Sequence, residues 1–126
     1  MEETVPAVTI LATTVTTIGE VEEDGVVNSV TYTPNANITG AASPASRTCT
    51  LVNKGQDGNG STVIATLAFI GGVNGLDFDE LAATLSVVAG ARNVVEGDVL
   101  AWNSAPVGGT GLVDPGGRVK IEIGRS

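Results

Sequence analysis

What most constrains this chain is its punctuation: short apolar runs rich in Val, Ile and Thr, cut at close intervals by clusters of Gly, Pro, Asn and Asp. The clearest run lies near the C-terminus, where Val119, Ile121 and Ile123 alternate with Lys120 and Glu122. That period of two belongs to a strand with one face buried and one in water. Asp114-Pro115-Gly116-Gly117 precedes it, with Pro fixing φ and Gly116 free to take the positive φ of a type II turn. The segments 53–60 and 71–75 are equally dense in turn residues, and Asp24-Gly25 is a pair that favours a tight turn. Most connections are too short for helical crossovers, so the strands are expected to pair antiparallel.

Residues 5–18 read as one long strand or two, with Pro6 confined to an edge or a strand start. Val26, Asn28, Val30 and Tyr32 share one face of a strand that stops at Pro34, and a small polar loop follows, apolar only at Ile38. The β pattern resumes over residues 47–52, with Cys49 and Leu51 pointing one way. Val63, Ala65, Leu67 and Phe69 then alternate with Ile64, Thr66, Ala68 and Ile70. Apolar residues on both sides imply a strand buried on both faces, or one face set against a neighbouring subunit. Residues 79–88 fit two patterns. A helix capped by Asp79 would align Leu81, Leu85 and Val88, whereas a strand would align Leu81, Ala83, Leu85 and Val87. The strand is preferred because its surroundings are β. Gly97-Asp98 opens a further strand, residues 99–103, which carries Trp102. Seven to eight short strands at this spacing predict an all-β, antiparallel, jelly-roll-like β-sandwich. It is read as one domain, with an N-terminal strand or arm region at 1–24 and the sandwich at 25–126.

Composition narrows the partners. Hydrophobic residues make up 42% of the chain but aromatics only 3%, so the core must be Val, Ile, Leu and Ala. The formal charge of −8, with 6 Lys and Arg in all, argues against nucleic acid, whose binding rests on basic side chains, and against an anionic membrane. The N-terminus is acidic where a secretory signal would be basic, and the following apolar stretch is too short and broken to span a bilayer. A single cysteine, Cys49, cannot form an internal disulfide. Without a secretory signal the sequons at Asn37 and Asn59 read as chance.

No histidine is present, which removes every nucleophile–His arrangement and every His-ligated zinc site. The carboxylates Glu22, Glu23, Asp24, Asp77, Asp79, Glu80, Asp98 and Asp114 sit mostly beside turn residues, where acids are ordinary solvated punctuation. Asp57-Gly58-Asn59 and Asp77-Phe78-Asp79-Glu80 offer oxygens to calcium, but neither has the length or spacing of an EF-hand loop. The glycine-rich stretch 55–60 lacks the Gly-Lys-Ser/Thr ending of a phosphate loop. The expectation is a protein that is not an enzyme and has no cofactor.

The residues Ser29-Val30-Thr31-Tyr32, residues 34–42, Arg47, Leu51-Val52-Asn53-Lys54-Gly55, Gly58 and Gly60 together form a recognisable pattern. It continues through Gly72-Val73-Asn74, Gly97-Asp98-Val99-Leu100, Val107-Gly108, Gly111-Leu112, Asp114-Pro115-Gly116-Gly117 and the closing alternation. The pattern resembles a small β-sandwich virion protein of tailed bacteriophages, of the capsid decoration or cement type, over residues 25–123. The resemblance implies a structural protein on the outer capsid surface, trimer favoured, whose partner is the major capsid protein and whose role is to reinforce contacts between capsid subunits. No functional residues transfer from it. For partner contact the residues themselves nominate Val5, Val8, Ile10 and Val15 in the N-terminal run, read as an arm on a neighbour's sheet edge, and Ile64 and Ile70 in the two-faced strand. Two alternatives stand beside it: a head-fibre, neck or tail-attached host-binding module, and a cellular carbohydrate-binding sandwich, which sparse aromatics disfavour.

Overall fold

The computed structural model describes residues 1–42, 45–109 and 112–125; Ser43 and Pro44 of the polar loop and Gly111 of the glycine-rich motif lie outside the described residues. Among the described residues ten strands follow in order: β1 (Glu2–Val5), β2 (Thr14–Glu20), β3 (Gly25–Pro34), β4 (Ser46–Asn53), β5 (Thr62–Phe69), β6 (Leu81–Ala82), β7 (Thr84–Leu85), β8 (Asn93–Val94), β9 (Val99–Val107) and β10 (Gly117–Gly124). They form two antiparallel five-stranded sheets packed face to face. One has the order β1-β10-β3-β6, with β8 also on β3, and the other the order β2-β9-β4-β5-β7. The chain is thus a ribbon folded back on itself. The first strand pairs with the last, β2 with β9, β3 with β6, and β4 and β5 form the hairpin at the bend. That order is a jelly roll.

Of the run at 5–18, only Val5, which ends β1, and residues 14–18 of β2 are strand. Residues 6–13 connect the two, which lie on opposite sheets, so both belong to the sandwich that follows them. Residues 79–88 hold no helix but two short strands, β6 on one sheet and β7 on the other, which carry the chain across one side of the sandwich. Asp24-Gly25 is not a hairpin turn, since the chain there crosses from β2 to β3 on the other sheet. Gly25 serves a close approach instead: a Cβ on it would collide with the Gly124 carbonyl oxygen. Gly116 does adopt φ +77°, as the turn before β10 requires.

Register shifts correct the simple alternation. Between β3 and β10, Ile123 faces Val27 while Glu122 faces Ser29, leaving Asn28 unmatched. Val27 is therefore buried, and Val26 and Asn28 are not. Ile64 is the unmatched residue between β4 and β5, and Ile18 between β2 and β9; both turn inward. This resolves the two-faced strand: Ala65, Leu67 and Phe69 are buried together with Ile64, while Val63 and Ile70 are exposed.

The core is mostly Val, Ile and Leu around three of the four aromatic rings. Tyr32 meets Phe69 edge-on at 6.3 Å and Trp102 at 5.8 Å. The fourth aromatic, Phe78, is exposed.

The ribbon topology gathers the loops at two ends. One end holds the β1–β2, β3–β4, β5–β6 and β9–β10 connections. Backbone bonds stitch them together: Val8 with Asp114, Asn35 with Gly116, and Ile38 with Gly75. The other end holds residues 21–24, 54–61 and 95–98.

Candidate functional site

The two ends differ in chemistry. At the first, residues 6–13 and 35–45 carry no charged side chain, and the β9–β10 connection carries only Asp114, which is buried. Ile10, Leu11, Ile70, Leu76, Phe78, Val107 and Val113 are all exposed there. At the second, Glu20, Glu22, Glu23, Asp24, Asp57 and Glu96 are exposed. A groove of about 500 Å³ runs past Glu20, Glu22, Glu23 and Asp24. The first tip therefore combines exposed apolar side chains with a single charged stretch, the exposed Asp77, Asp79 and Glu80 of the β5–β6 connection, whereas at the second tip the exposed carboxylates predominate.

A buried polar network holds the apolar tip in shape. Arg47 lies on the inward face of β4 in register with Cys49 and Leu51, and is 1% exposed. Its Nε donates to the Leu112 carbonyl (2.7 Å), and its Nη2 to the carbonyls of Thr9 (2.9 Å) and Ile10 (3.2 Å). Both Nη atoms reach the Ala12 carbonyl at 3.3 Å, and Nη1 donates to Ser104 Oγ at 3.0 Å. Ser104 Oγ donates in turn to Asp114 Oδ2 (2.6 Å). Tyr32 OH (2.7 Å) and the Gly116 N–H (2.9 Å) donate to Asp114 Oδ1. A cation and an anion removed from water are tolerable only when satisfied in this way. With the loop carbonyls turned inward onto Arg47, Ile10 and Leu11 remain facing solvent.

Ser104 between a carboxylate and a guanidinium has the outline of an activated nucleophile. Its 2% exposure and the 1% exposure of Asp114 leave no room for a substrate, and the network acts as a clamp. Cys49 Sγ lies 3.6 Å from Ser104 Oγ. Burial, then the Asp114 charge, push the Cys49 thiol up to about 12. Burial first, and then Asp114, also hold the Tyr32 hydroxyl far above the ordinary phenol range. Both groups fold neutral, and in the unfolded chain they ionise from about 9 (Cys) and 10 (Tyr). The Cys49 contribution is therefore complete below about pH 9 and is lost as pH rises through 12, while that of Tyr32 is complete below about 10 and is still declining above that range. The urea midpoint is expected to fall steadily between pH 9 and 12, and Cys49→Ala to make that fall shallower; an unchanged midpoint would refute the linkage.

Of the residues nominated for contact, Val5, Val8 and Ile64 are 3, 4 and 0% exposed. They are corrected to interior positions: Val5 and Ile64 belong to the core, and Val8 is fixed by its bridge to Asp114. Ile10, Val15 and Ile70 are 45, 59 and 46% exposed, on or beside the apolar tip. Sequence reasoning passed over Leu11, Leu76, Phe78, Val107 and Val113. For Leu11 the signal available was the lack of charge in loop 6–13; Leu76 and Phe78 sit among Asp77, Asp79 and Glu80, and no such signal marked them.

The oxygen-rich turns are accounted for locally. Asp57 Oδ1 accepts the Asn59 N–H at 3.0 Å, an Asx turn that holds this carboxyl below its usual range. Asn37 Oδ1 accepts the Asp77 N–H at 2.8 Å. Among the described residues no group of three or more Cys, Asp or Glu side chains is placed to hold a metal ion.

Phe78 stands apart. It is 74% exposed and has φ +60°. A left-handed conformation at a bulky residue costs on the order of 1–3 kcal/mol. Comparison of the chain with protein-family models, curated proteins and solved structures finds no match.

Proposed function

We propose that this protein is a virion component of a tailed phage that seats its apolar tip on the outer surface of the capsid and strengthens contacts between major capsid protein subunits. The observation that carries this reading is the gathering of exposed apolar side chains at one tip, where two whole loops, 6–13 and 35–45, carry no charge and the exposed acids are confined to residues 77–80, while the other tip is acidic in several connections. Exposed apolar clusters of this kind mark protein contact surfaces. An acidic far end suits the outside of a particle whose interior is filled with phosphate. The jelly roll recurs in viral capsid proteins, an analogy at the level of fold that agrees with the reading. Binding confined to the assembled lattice stabilises that lattice by mass action. A trimeric arrangement around a three-fold position would add avidity to a modest single contact.

Purified protein is expected to co-sediment with matching heads that lack it, saturating at a fixed ratio to the major capsid protein, and to raise particle survival under heat or low salt. Failure to bind heads would remove the capsid role and turn attention to tails and host-surface sugars.

A further inference from the structure

We infer that Phe78 is the anchor of the docking tip, and that the partner receives it in an apolar socket rimmed by lysine or arginine; the inference rests on the capsid-docking reading above. Leu76 and Asp79 close a turn through the Asp79 N–H and the Leu76 carbonyl at 3.1 Å. Phe78 occupies its third position, where a positive φ following a negative one makes a type II geometry that glycine normally fills. Eight described residues have positive φ; seven are glycine and the eighth is Phe78. The fold therefore uses glycine wherever backbone alone decides, and here it does not.

Nothing in the chain's own core needs the ring, since it is 74% exposed. The backbone around it is nonetheless fixed. The Phe78 N–H donates to the Pro34 carbonyl at 2.8 Å, and the Asp77 N–H to Asn37 Oδ1 at 2.8 Å. A large apolar side chain carried on a fixed backbone has only its two side-chain torsions to order on docking, which favours it as an interface anchor.

Charge identifies the rim of the socket. Asp77, Asp79 and Glu80 flank the ring, all three are exposed, and none makes an ion pair among the described residues. They are the only exposed charges in the four connections at that tip. A basic rim on the partner would meet them, speeding encounter and making association salt-dependent.

The test compares wild type with Phe78→Gly, Phe78→Asn and Phe78→Tyr, using matching heads lacking the protein as the probe and thermal melting of each free protein. Phe78→Gly should melt a few degrees higher, because it relieves the left-handed strain, while binding heads about 30-fold or more weakly. Phe78→Asn, which tolerates the same φ, should lose binding similarly, and Phe78→Tyr should retain it. Neutralising the rim with Asp77→Asn, Asp79→Asn and Glu80→Gln together should flatten the salt dependence. Wild-type binding matched by Phe78→Gly within twofold would overturn the anchor and leave the capsid reading standing. Salt dependence unchanged by the triple substitution would overturn the basic rim. Wild type failing to bind heads at any salt would overturn the capsid reading and the anchor with it.

Discussion

Arg47→Met is expected to destabilise the protein by about 3–5 kcal/mol, read as a drop in the urea midpoint by far-UV circular dichroism. The methionine fills much of the volume, so the loss is polar in origin. The carbonyls of Thr9, Ile10, Ala12 and Leu112 lose their donor, and Asp114 loses the cation to which Ser104 links it. A domain of this size holds only about 5–15 kcal/mol in reserve, so the variant should sit near the edge of folding at 37 °C. Arg47→Lys should recover only part of the loss, because an ammonium cannot reach the spread of acceptors that the planar guanidinium serves. A loss below about 1 kcal/mol for Arg47→Met would mean that the network is solvated and does not brace the tip.

Trp102→Ala should cost a comparable 3–5 kcal/mol. Trp102 is the largest fully buried side chain, lies on the strand between β2 and β4, and stacks against Tyr32. Its removal opens a cavity that two hydrogen-bonded sheets cannot collapse to fill. Trp102→Phe should be much milder, since the indole Nε1 has no hydrogen-bond partner among the described residues and its loss orphans nothing. As this is the single tryptophan, the comparison must be made by circular dichroism and not by intrinsic fluorescence. Equal losses for the two variants would show that ring shape, and not volume, dominates the site.

The strands were legible because one-sided burial imposes a period of two. Val119, Ile121 and Ile123 could be placed inward from the letters alone, as could Cys49 and Leu51. What alternation cannot encode is a bulge. One extra residue moves Val27 inward in place of Val26 and brings Ile64 to the same side as Ala65, and neither shift has a signature beyond the partner strand's register. Arg47 was hidden for a related reason. It sits in phase with buried neighbours, but a charge at such a position is intelligible only once Ser104, Asp114 and four loop carbonyls from distant segments surround it. The contact residues were the least legible. Val5, Val8 and Ile64 were nominated for being apolar, and apolar residues in strands are usually claimed by the core. The uncharged loop 6–13 was the better clue for Ile10 and Leu11, because connections normally face water and are polar, but Leu76 and Phe78 lie among acids and had no such mark.

The folded-ribbon order also governs how the protein is made. The Met1 amine bonds the carbonyl of Ile121, 120 positions away, and β9 and β10 are interior strands, each seated between two others. While the chain is still emerging from a ribosome, both sheets are split down the middle and four strand edges lack their neighbours. The β4–β5 hairpin can form early, since its strands are adjacent in sequence. Closure must wait for β9 and β10 to emerge, and pairings this distant are slow to form. Synthesis rate and temperature during expression should therefore set the yield of folded protein more strongly than its final stability does, with truncated chains the species most prone to associate through their open edges.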